Sequence, residues 1–218
     1  GVIMRHSDAS NLLRLYYHSC RLVKNSKQLH NFLVCMSSCP DHHQAGNLLV
    51  RESYQQAERA DRIDKLLEAV SLYAQARDLQ FQSRATQDQI ELLKFQTELE
   101  QKYGVACFFD MSVSETLYNL IALGATQHMY TSKLTTDISK LQNRFKMPDR
   151  RFLHIKIKAL AASGQWVSFR KLAEKKSAIG YGPFVRACIL HGRPLSEIEF
   201  YMNRVVSSDD KKSLHAEL

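Results

Sequence analysis

The sequence predicts an all-α protein, an α-solenoid of stacked antiparallel helix pairs, and three observations lead to this prediction. The 218 residues include only 8 glycines and 4 prolines, which is too few for the many tight turns of a β-sandwich. Apolar residues recur in several segments with the i, i+3, i+4 spacing of one helix face. Near the end, a pattern of helix, glycine, turn and helix repeats after about 28 residues, which is close to the period of helix-pair repeats.

The first predicted helix precedes Pro40, and Asn25 with Ser26 supplies a possible cap ahead of it. Its apolar face consists of Leu29, Phe32, Leu33 and Met36.

Three further helices are predicted between Gln44 and Lys102, with breaks near Ala60 and Ser83. This stretch contains no proline and a single glycine. Antiparallel packing would let each helix bury its apolar stripe on a neighbour. The two stripes are Ile63, Leu66, Leu67 and Val70, followed by Ile90, Leu93, Phe95 and Leu99.

The segment around Gly104 is predicted to separate long helical hairpins in residues 1–104 from shorter helix pairs in residues 105–218, all within one solenoid domain. Gly104 suits the left-handed position that follows a helix end. The next residues, VACFF, are expected to form an extended connector, because a lone strand would have no partner. Ser112 and Glu115 then have the spacing of a capping box for the following helix.

Later helices are predicted to end at Gly124, Gly164 and Gly192. Pro148 and Pro194 fit the first turns of helices, where a missing N–H costs nothing. The second half is therefore expected to consist of short helices joined by tight turns.

The stretch KKSAIGYGPFV, residues 175–185, is called the joint below. A phosphate-binding loop needs GxxxxGK[ST] or GxGxxG between a strand and a helix. In the joint, Lys175 and Lys176 precede the glycines and fall in the last turn of a predicted helix, where cations favour the helix dipole. Pro183 suits the start of the next helix. The joint is therefore predicted to connect two helices rather than to bind phosphate.

The balance of 30 basic against 22 acidic residues gives a formal net charge of +8. Such a charge suits nucleic acid, anionic lipid or an acidic partner. The basic residues are spread along helices without interleaved aromatic residues, so no dedicated nucleic-acid site is predicted. A helical module that binds nucleic acid or anionic lipid through its basic surface remains the alternative function.

Composition also bears on the cellular compartment. No apolar run approaches the roughly 20 residues of a membrane span, and the first residues lack the apolar core of a signal peptide. The odd count of five cysteines indicates reduced thiols in the cytosol. A cytoplasmic protein without a transmembrane segment is therefore expected.

One group of residues offers soft metal ligands: Cys35, Cys39, His42 and His43. Zinc binds cysteine and histidine in tetrahedral sites. The usual spacing of two such pairs is absent, so neither a metal nor another cofactor is predicted.

Two cysteines have a histidine close by, as a nucleophile and its base would require: Cys20 near His18, and Cys188 near His191. Short helical spacings of these residues arise by chance, and Cys188 is expected to pack within the apolar ACIL stripe. No serine elbow and no HExxH motif occurs in the sequence. The protein is therefore predicted not to be an enzyme.

Two aromatic positions are candidates for a core or an interface. Trp166, the only tryptophan, is expected to anchor the core at the start of a helix. In the helix SEIEFYMNRV, Ile198 and Met202 are predicted to face inward. Tyr201 and Arg204 are then predicted to face outward together, and both residue types are enriched among binding hot spots.

Several segments together resemble the C-terminal region of the vacuolar protein sorting-associated protein sixteen family. They are the helical stretch from Ser53 to Gly104, the motifs FFDMSVSETL, FKMPDRRF and ALAASGQW, and the joint. The similarity runs from about Leu48 to Val205. The family more often has proline where Ala178 stands. A paralogous family of the spermatogenesis-defective thirty-nine type shares the later half and is the second possibility.

The resemblance implies a C-terminal fragment of a longer protein that begins with a β-propeller. It further implies a core subunit of the HOPS and CORVET tethering complexes, peripheral on late endosome and lysosome or vacuole membranes. Its main partner would be a Sec/Munc-family protein, vacuolar protein sorting-associated protein thirty-three, which binds SNAREs and docks on the late helical repeats. The partner-binding residues expected there are Tyr201, Arg204, Arg150, Arg151, Tyr181 and Phe184.

Overall fold

The computed structural model describes residues 42–126, 132–175 and 179–217, and within these ranges the protein is all-α, as predicted. The described residues form ten α-helices and one 3-10 helix, without a β-strand. The helix expected before Pro40 lies outside the described residues. The helices are α1 (His42–Ser53), α2 (Arg59–Tyr73), the 3-10 helix (Arg77–Leu79), α3 (Gln80–Tyr103), α4 (Val113–Thr126), α5 (Ser132–Arg144), α6 (Asp149–Ala162), α7 (Trp166–Glu174), α8 (Gly182–Leu190), α9 (Leu195–Met202) and α10 (Ser208–Ala216).

The chain divides into two compact units, Gly1–Phe109 and Asp110–Leu218. The described helices α1 to α3 belong to the first unit, and α4 to α10 belong to the second. This division falls five residues after the predicted change from long hairpins to short helix pairs. A single solenoid of 218 residues remains a prediction, with which the helix-pair packing inside each unit is compatible.

In the first unit, α1 packs against α2 and α2 packs against α3, as expected for successive hairpins. The three helices are confirmed, and the breaks between them come slightly earlier than predicted, at residues 54–58 before Ala60 and at residues 74–79 before Ser83. Ser53 ends α1, and its carbonyl oxygen accepts a buried hydrogen bond of 3.1 Å from Arg62 Nε. No glycine or proline marks the ends of α1 and α2. The end of α1 is held instead by the tertiary hydrogen bond from Arg62.

The two predicted apolar stripes of the first unit are buried to different extents. All four residues of the α3 stripe, Ile90, Leu93, Phe95 and Leu99, are buried. In α2, Leu66 is fully buried, whereas Leu67 is 47% exposed, so its predicted burial is wrong. Adjacent positions on a helix point about 100° apart, and the buried face of α2 is narrow enough to leave Leu67 outside.

The end of the first unit follows the sequence prediction. Gly104 takes a left-handed conformation with φ of 65° and closes α3. Residues 105–109 contain no strand. The backbone N–H of Phe108 donates a hydrogen bond of 2.7 Å to Glu100, which holds this connector against the last turns of α3.

The second unit begins with the predicted capping box. Ser112 N–H donates to Glu115 Oε2 at 2.8 Å, and Glu115 N–H donates to Ser112 Oγ at 3.3 Å. The predicted helix end at Gly124 is wrong, because α4 continues to Thr126 and Gly124 is buried within it. The ends at Gly164 and Gly192 are confirmed, since both glycines follow directly on the last turns of α6 and α8.

Helix packing in the second unit is local along the chain. Helix α4 contacts α5 and α6, α6 contacts α7 and α8, and α8 contacts α9 and α10. Three fully or almost fully buried aromatic rings, Phe169, Phe184 and Tyr201, connect α7, α8 and α9. Their ring centroids lie 5.1 to 5.8 Å apart. This aromatic cluster fixes the helices that carry the joint.

Within the described ranges, each helix is too short or too polar to cross a bilayer.

Candidate partner-binding site

The joint connects two helices, as predicted. Helix α7 ends at Glu174 with Lys175 as its cap, and α8 begins at Gly182 with Pro183 in its first turn. Gly180 has a φ of 72°, a conformation that lets the chain reverse here. Lys176 lies outside the described residues.

A surface cavity of about 560 Å³, called the joint groove below, lies beside this turn. It brings together three of the predicted partner-binding residues: Arg150 from the first turn of α6, Tyr181 from the joint, and Arg204 from the segment after α9. The hydrophobic side of the groove includes Val206, which is 98% exposed. A partner could therefore meet positive charge and an uncovered apolar side chain at one place.

The joint groove is positively charged. Arg150 and Arg204 are exposed, and neither forms an ion pair with another described residue. Arg186 also lines the groove, but Glu217 accepts a hydrogen bond of 3.1 Å from its Nε atom. Asp210 is an acidic residue of the lining. The net excess of guanidinium groups suits a carboxylate-bearing surface.

The side chain of Arg204 lies folded over the end of α9. Its Nη1 atom donates a hydrogen bond of 2.6 Å to the carbonyl oxygen of Phe200. Its guanidinium carbon lies 3.6 Å from the centroid of the Phe200 ring, which is itself 49% exposed. This bond uses one of five N–H donors of the guanidinium. Arg204 is therefore oriented by its own helix before any partner arrives.

Two predicted site residues are buried. Tyr201 is 1% exposed and Phe184 is 0% exposed, so the prediction that Tyr201 faces outward with Arg204 is wrong. Ile198 and Met202 face inward as predicted, and Tyr201 shares their face because it lies three positions after Ile198. The edge of Tyr201 borders a second cavity of about 620 Å³. Tyr201 and Phe184 support the site from below rather than presenting their rings to a partner.

Tyr181, already placed in the joint groove, and Arg151, the last of the predicted residues, are accessible. Tyr181 is half-buried, stacks on Tyr201 with a centroid distance of 6.5 Å, and borders both cavities. Arg151 is exposed beside Arg150 at the start of α6. It lines neither cavity and extends the basic surface next to the joint groove.

An ion-pair network at Glu197 was missed by the sequence analysis. The Glu197 carboxylate accepts hydrogen bonds from Arg170 at 2.9 Å and from Arg193 at 2.6 Å. Burial alone would raise the pKa of Glu197, but the hydrogen bonds from Arg193 and Arg170 outweigh it and lower that pKa. The i, i+4 spacing of Arg193 and Glu197 is the sequence signal from which half of this network could have been found.

Trp166 belongs to the edge of the same network. It is half-buried, so its expected place as a core anchor is wrong. The Arg193 guanidinium lies 4.3 Å from the centroid of the indole ring, and Phe169 contacts the ring edge-on at 5.3 Å. The indole therefore contacts the aromatic cluster through Phe169 and the Glu197 network through Arg193.

Only some of the residues considered for metal binding or nucleophilic chemistry lie within the described ranges. Cys20, Cys35 and Cys39 lie outside the described residues, and His42 and His43 lie at the start of α1. The described ranges contain no group of three or more His, Cys, Asp or Glu side chains that could hold a metal ion. Cys188 is fully buried as expected, and burial raises its pKa to about 12, which keeps it a thiol.

Packed helix pairs with a basic groove beside a helix joint make this an all-α protein without a strand in the described ranges. The family model described as Vps16, C-terminal region, matches residues 2–218, and the chain belongs to this family. The resemblance seen in the sequence motifs is thereby confirmed.

Relatives from several eukaryotes are similar to the chain. The vacuolar protein sorting-associated protein 16 homolog of Dictyostelium discoideum is 33% identical over 149 residues, covering 66% of this chain and 17% of that protein. Protein VACUOLELESS1 of Arabidopsis thaliana is 33% identical over 129 residues, covering 59% of this chain and 14% of that protein. The Drosophila melanogaster homolog is 34% identical over 118 residues, covering 54% of this chain and 13% of the relative. The chain therefore matches less than a fifth of the length of each.

Proposed function

We propose that this chain is a non-enzymatic scaffold segment of a membrane-tethering complex of the HOPS and CORVET type. It acts in protein transport, peripherally on late endosome and lysosome or vacuole membranes. Membership of the Vps16 family supports this proposal, and so do the relatives, whose names state a role in vacuolar protein sorting. Packed helix pairs suit such a role, because they offer an extended surface that changes little on binding.

The partner held by this scaffold is a Sec/Munc-family protein, vacuolar protein sorting-associated protein thirty-three, through which SNAREs are reached. The joint groove is the observation that carries this step, since it collects Arg150, Tyr181 and Arg204 from separate elements. Arginine can bind a carboxylate through two parallel N–H···O bonds. The partner face is therefore acidic at the groove.

Apolar contact completes the docking surface. Val206 and Phe200 are 98% and 49% exposed on either side of Arg204. Aromatic and arginine side chains grouped in this way commonly carry most of the energy of a protein interface. Arg151 extends the surface from the other side of Arg150.

The competing function is binding of nucleic acid or anionic lipid, which the net charge of +8 favours. The two functions differ in their response to salt. Phosphate binding releases counterions and weakens steeply as salt rises, whereas an interface with an apolar centre weakens much less.

Calorimetric titration of the 218-residue chain with the Sec/Munc-family protein, at about 50 mM and about 300 mM salt, tests the proposal. We expect a one-to-one complex whose dissociation constant changes less than about tenfold between the two conditions. Parallel titrations use a duplex oligonucleotide and vesicles containing anionic lipid. Absence of the protein complex, together with salt-sensitive binding to either polyanion, contradicts the scaffold and supports the competing function.

A further inference from the structure

A third cavity, of about 470 Å³, lies between α6 and α8 and is called the α6–α8 groove below. Its floor is apolar, because Ile157 is 1% exposed and Ala187 is 6% exposed. Leu190 stands at its rim with 78% of its surface exposed. Single apolar residues on a surface need no explanation, but an apolar floor beneath such a residue is the form of a side-chain binding pocket.

The charged side chains of the α6–α8 groove, Lys158 and Arg186, are both cationic. His154 and His191 also line the groove, and its lining contains no carboxylate. Arg186 already forms an ion pair with Glu217, so the exposed Lys158 is the cation most available to a ligand. Burial lowers the pKa of His154, and the neighbouring charges of Arg150 and Lys158 lower it further.

We propose that the α6–α8 groove binds an acidic peptide segment of a partner protein, with apolar side chains on Ile157 and Leu190 and a carboxylate at Lys158. The apolar floor distinguishes this ligand from a polyanion, which would need phosphate contacts and gain nothing from Leu190. The proposal is independent of the Sec/Munc partner and of Arg204, although the joint groove also contains His154 and Arg186.

The probe is a fluorescein-labelled peptide of about twelve residues with two leucines four positions apart among glutamates, a spacing that puts both on one helix face. We expect saturable binding to the full chain in fluorescence anisotropy. Two control peptides replace the glutamates by glutamine or the leucines by alanine, and each should bind at least about tenfold more weakly, because each removes one half of the recognition. Equal binding of the alanine peptide would overturn the proposal, since it would show attraction to charge alone.

Matched variants locate the peptide. Lys158→Glu should weaken binding at least about tenfold, whereas Lys171→Glu, an exposed lysine on α7 outside the groove, should change it less than about twofold. Leu190→Ala should weaken binding, whereas Val167→Ala, 70% exposed on α7, should not. Both alanine positions are exposed, so the fold is preserved. Equal effects of the paired substitutions would overturn the proposal.

The protonation of His154 gives a readout that a purely structural change would not move. A bound carboxylate favours the charged imidazolium, so the pKa of His154 should rise when the peptide saturates the chain. Imidazole resonances followed through an NMR pH titration, and assigned with His154→Gln, measure this change. Peptide binding without any change at His154 would place the peptide elsewhere and overturn the proposal.

Discussion

Arg59 Nη1 lies 2.7 Å from Glu100 Oε2, although the two residues are 41 positions apart. The same guanidinium donates to Thr97 Oγ1 at 2.8 Å, and the other carboxylate oxygen of Glu100 accepts the N–H of Phe108 at 2.7 Å. Helix α2, helix α3 and the connector after α3 are thereby held by one ion pair. Both side chains are mostly buried, with 17% and 15% of their surfaces exposed, so water screens this pair less than an exposed one.

Replacing Glu100→Gln should lower the free energy of unfolding by about 2 kcal/mol at pH 7, because the amide cannot match the charged hydrogen bonds to Arg59 and Phe108. Urea denaturation of the chain measures this loss. Glu98→Gln is the matched control, since Glu98 is exposed on the same helix, and it should change stability by less than about 0.5 kcal/mol. Equal stability of the two variants would show that the pair contributes nothing.

The contribution of Glu100 should also depend on pH. Burial alone would raise the pKa of Glu100, but the hydrogen bonds from Arg59 and from the Phe108 N–H outweigh it and lower that pKa. A carboxyl with a lowered folded pKa stabilises fully above its unfolded value of about 4.3, and the stabilisation is lost as pH falls through the folded value. The stability difference between the native chain and Glu100→Gln should therefore shrink below about pH 4. A constant difference from pH 7 to pH 3 would contradict this assignment.

Gly46→Ala should destabilise the protein, even though alanine favours helices more than glycine does. A Cβ atom at position 46 would overlap the ring of Tyr73, which is 2% exposed and hydrogen-bonded to Asn47 at 2.7 Å. Overpacking of this kind costs about 1–3 kcal/mol, against a helix-propensity gain of about 1 kcal/mol. Gly182→Ala is the control, because a Cβ there meets nothing within 4 Å. Thermal melts should show a lower midpoint for Gly46→Ala alone, and a raised midpoint would contradict the close contact.

Local features of this fold could be predicted from sequence because a few neighbouring residues determine them. The reciprocal bonds of Ser112 and Glu115 need only a four-residue spacing. The helix ends at Gly164 and Gly192 likewise depend on the backbone freedom of one residue. Gly124 has the same freedom, yet it lies buried inside α4, where packing continues the helix.

The candidate site was less predictable because it depends on tertiary packing. Arg150 and Arg204 carry no mutual sequence signal, and only the arrangement of α6, α8 and α9 places them on one groove. Tyr201 was misassigned because α9 buries three residues, Ile198, Tyr201 and Met202, rather than only the predicted pair Ile198 and Met202. The α6–α8 groove could not be anticipated either, since its charges come from different helices.

Phe184→Ala should lower the free energy of unfolding by about 3–5 kcal/mol, because its ring is fully buried among Phe169 and Tyr201. Trp166→Ala should cost less, about 1–2 kcal/mol, since the indole is only half-buried and part of its contact is with Arg193. Phe81→Ala, at a position 80% exposed, serves as the control and should be nearly neutral. Guanidinium denaturation gives all three values, and a larger loss for Trp166→Ala than for Phe184→Ala would contradict this description of the core.

The proposed docking of an acidic Sec/Munc surface in the joint groove is tested most directly by calorimetry with Arg150→Glu and Arg204→Glu, alone and combined. Each charge reversal should weaken binding at least about tenfold, because it sets like charges against each other where water is excluded. Lys171→Glu, an exposed lysine outside the groove, should bind as the native chain does. Thermal melts should show that all variants remain folded, since both arginines are exposed. Unchanged affinity of the folded double variant would contradict the proposed site.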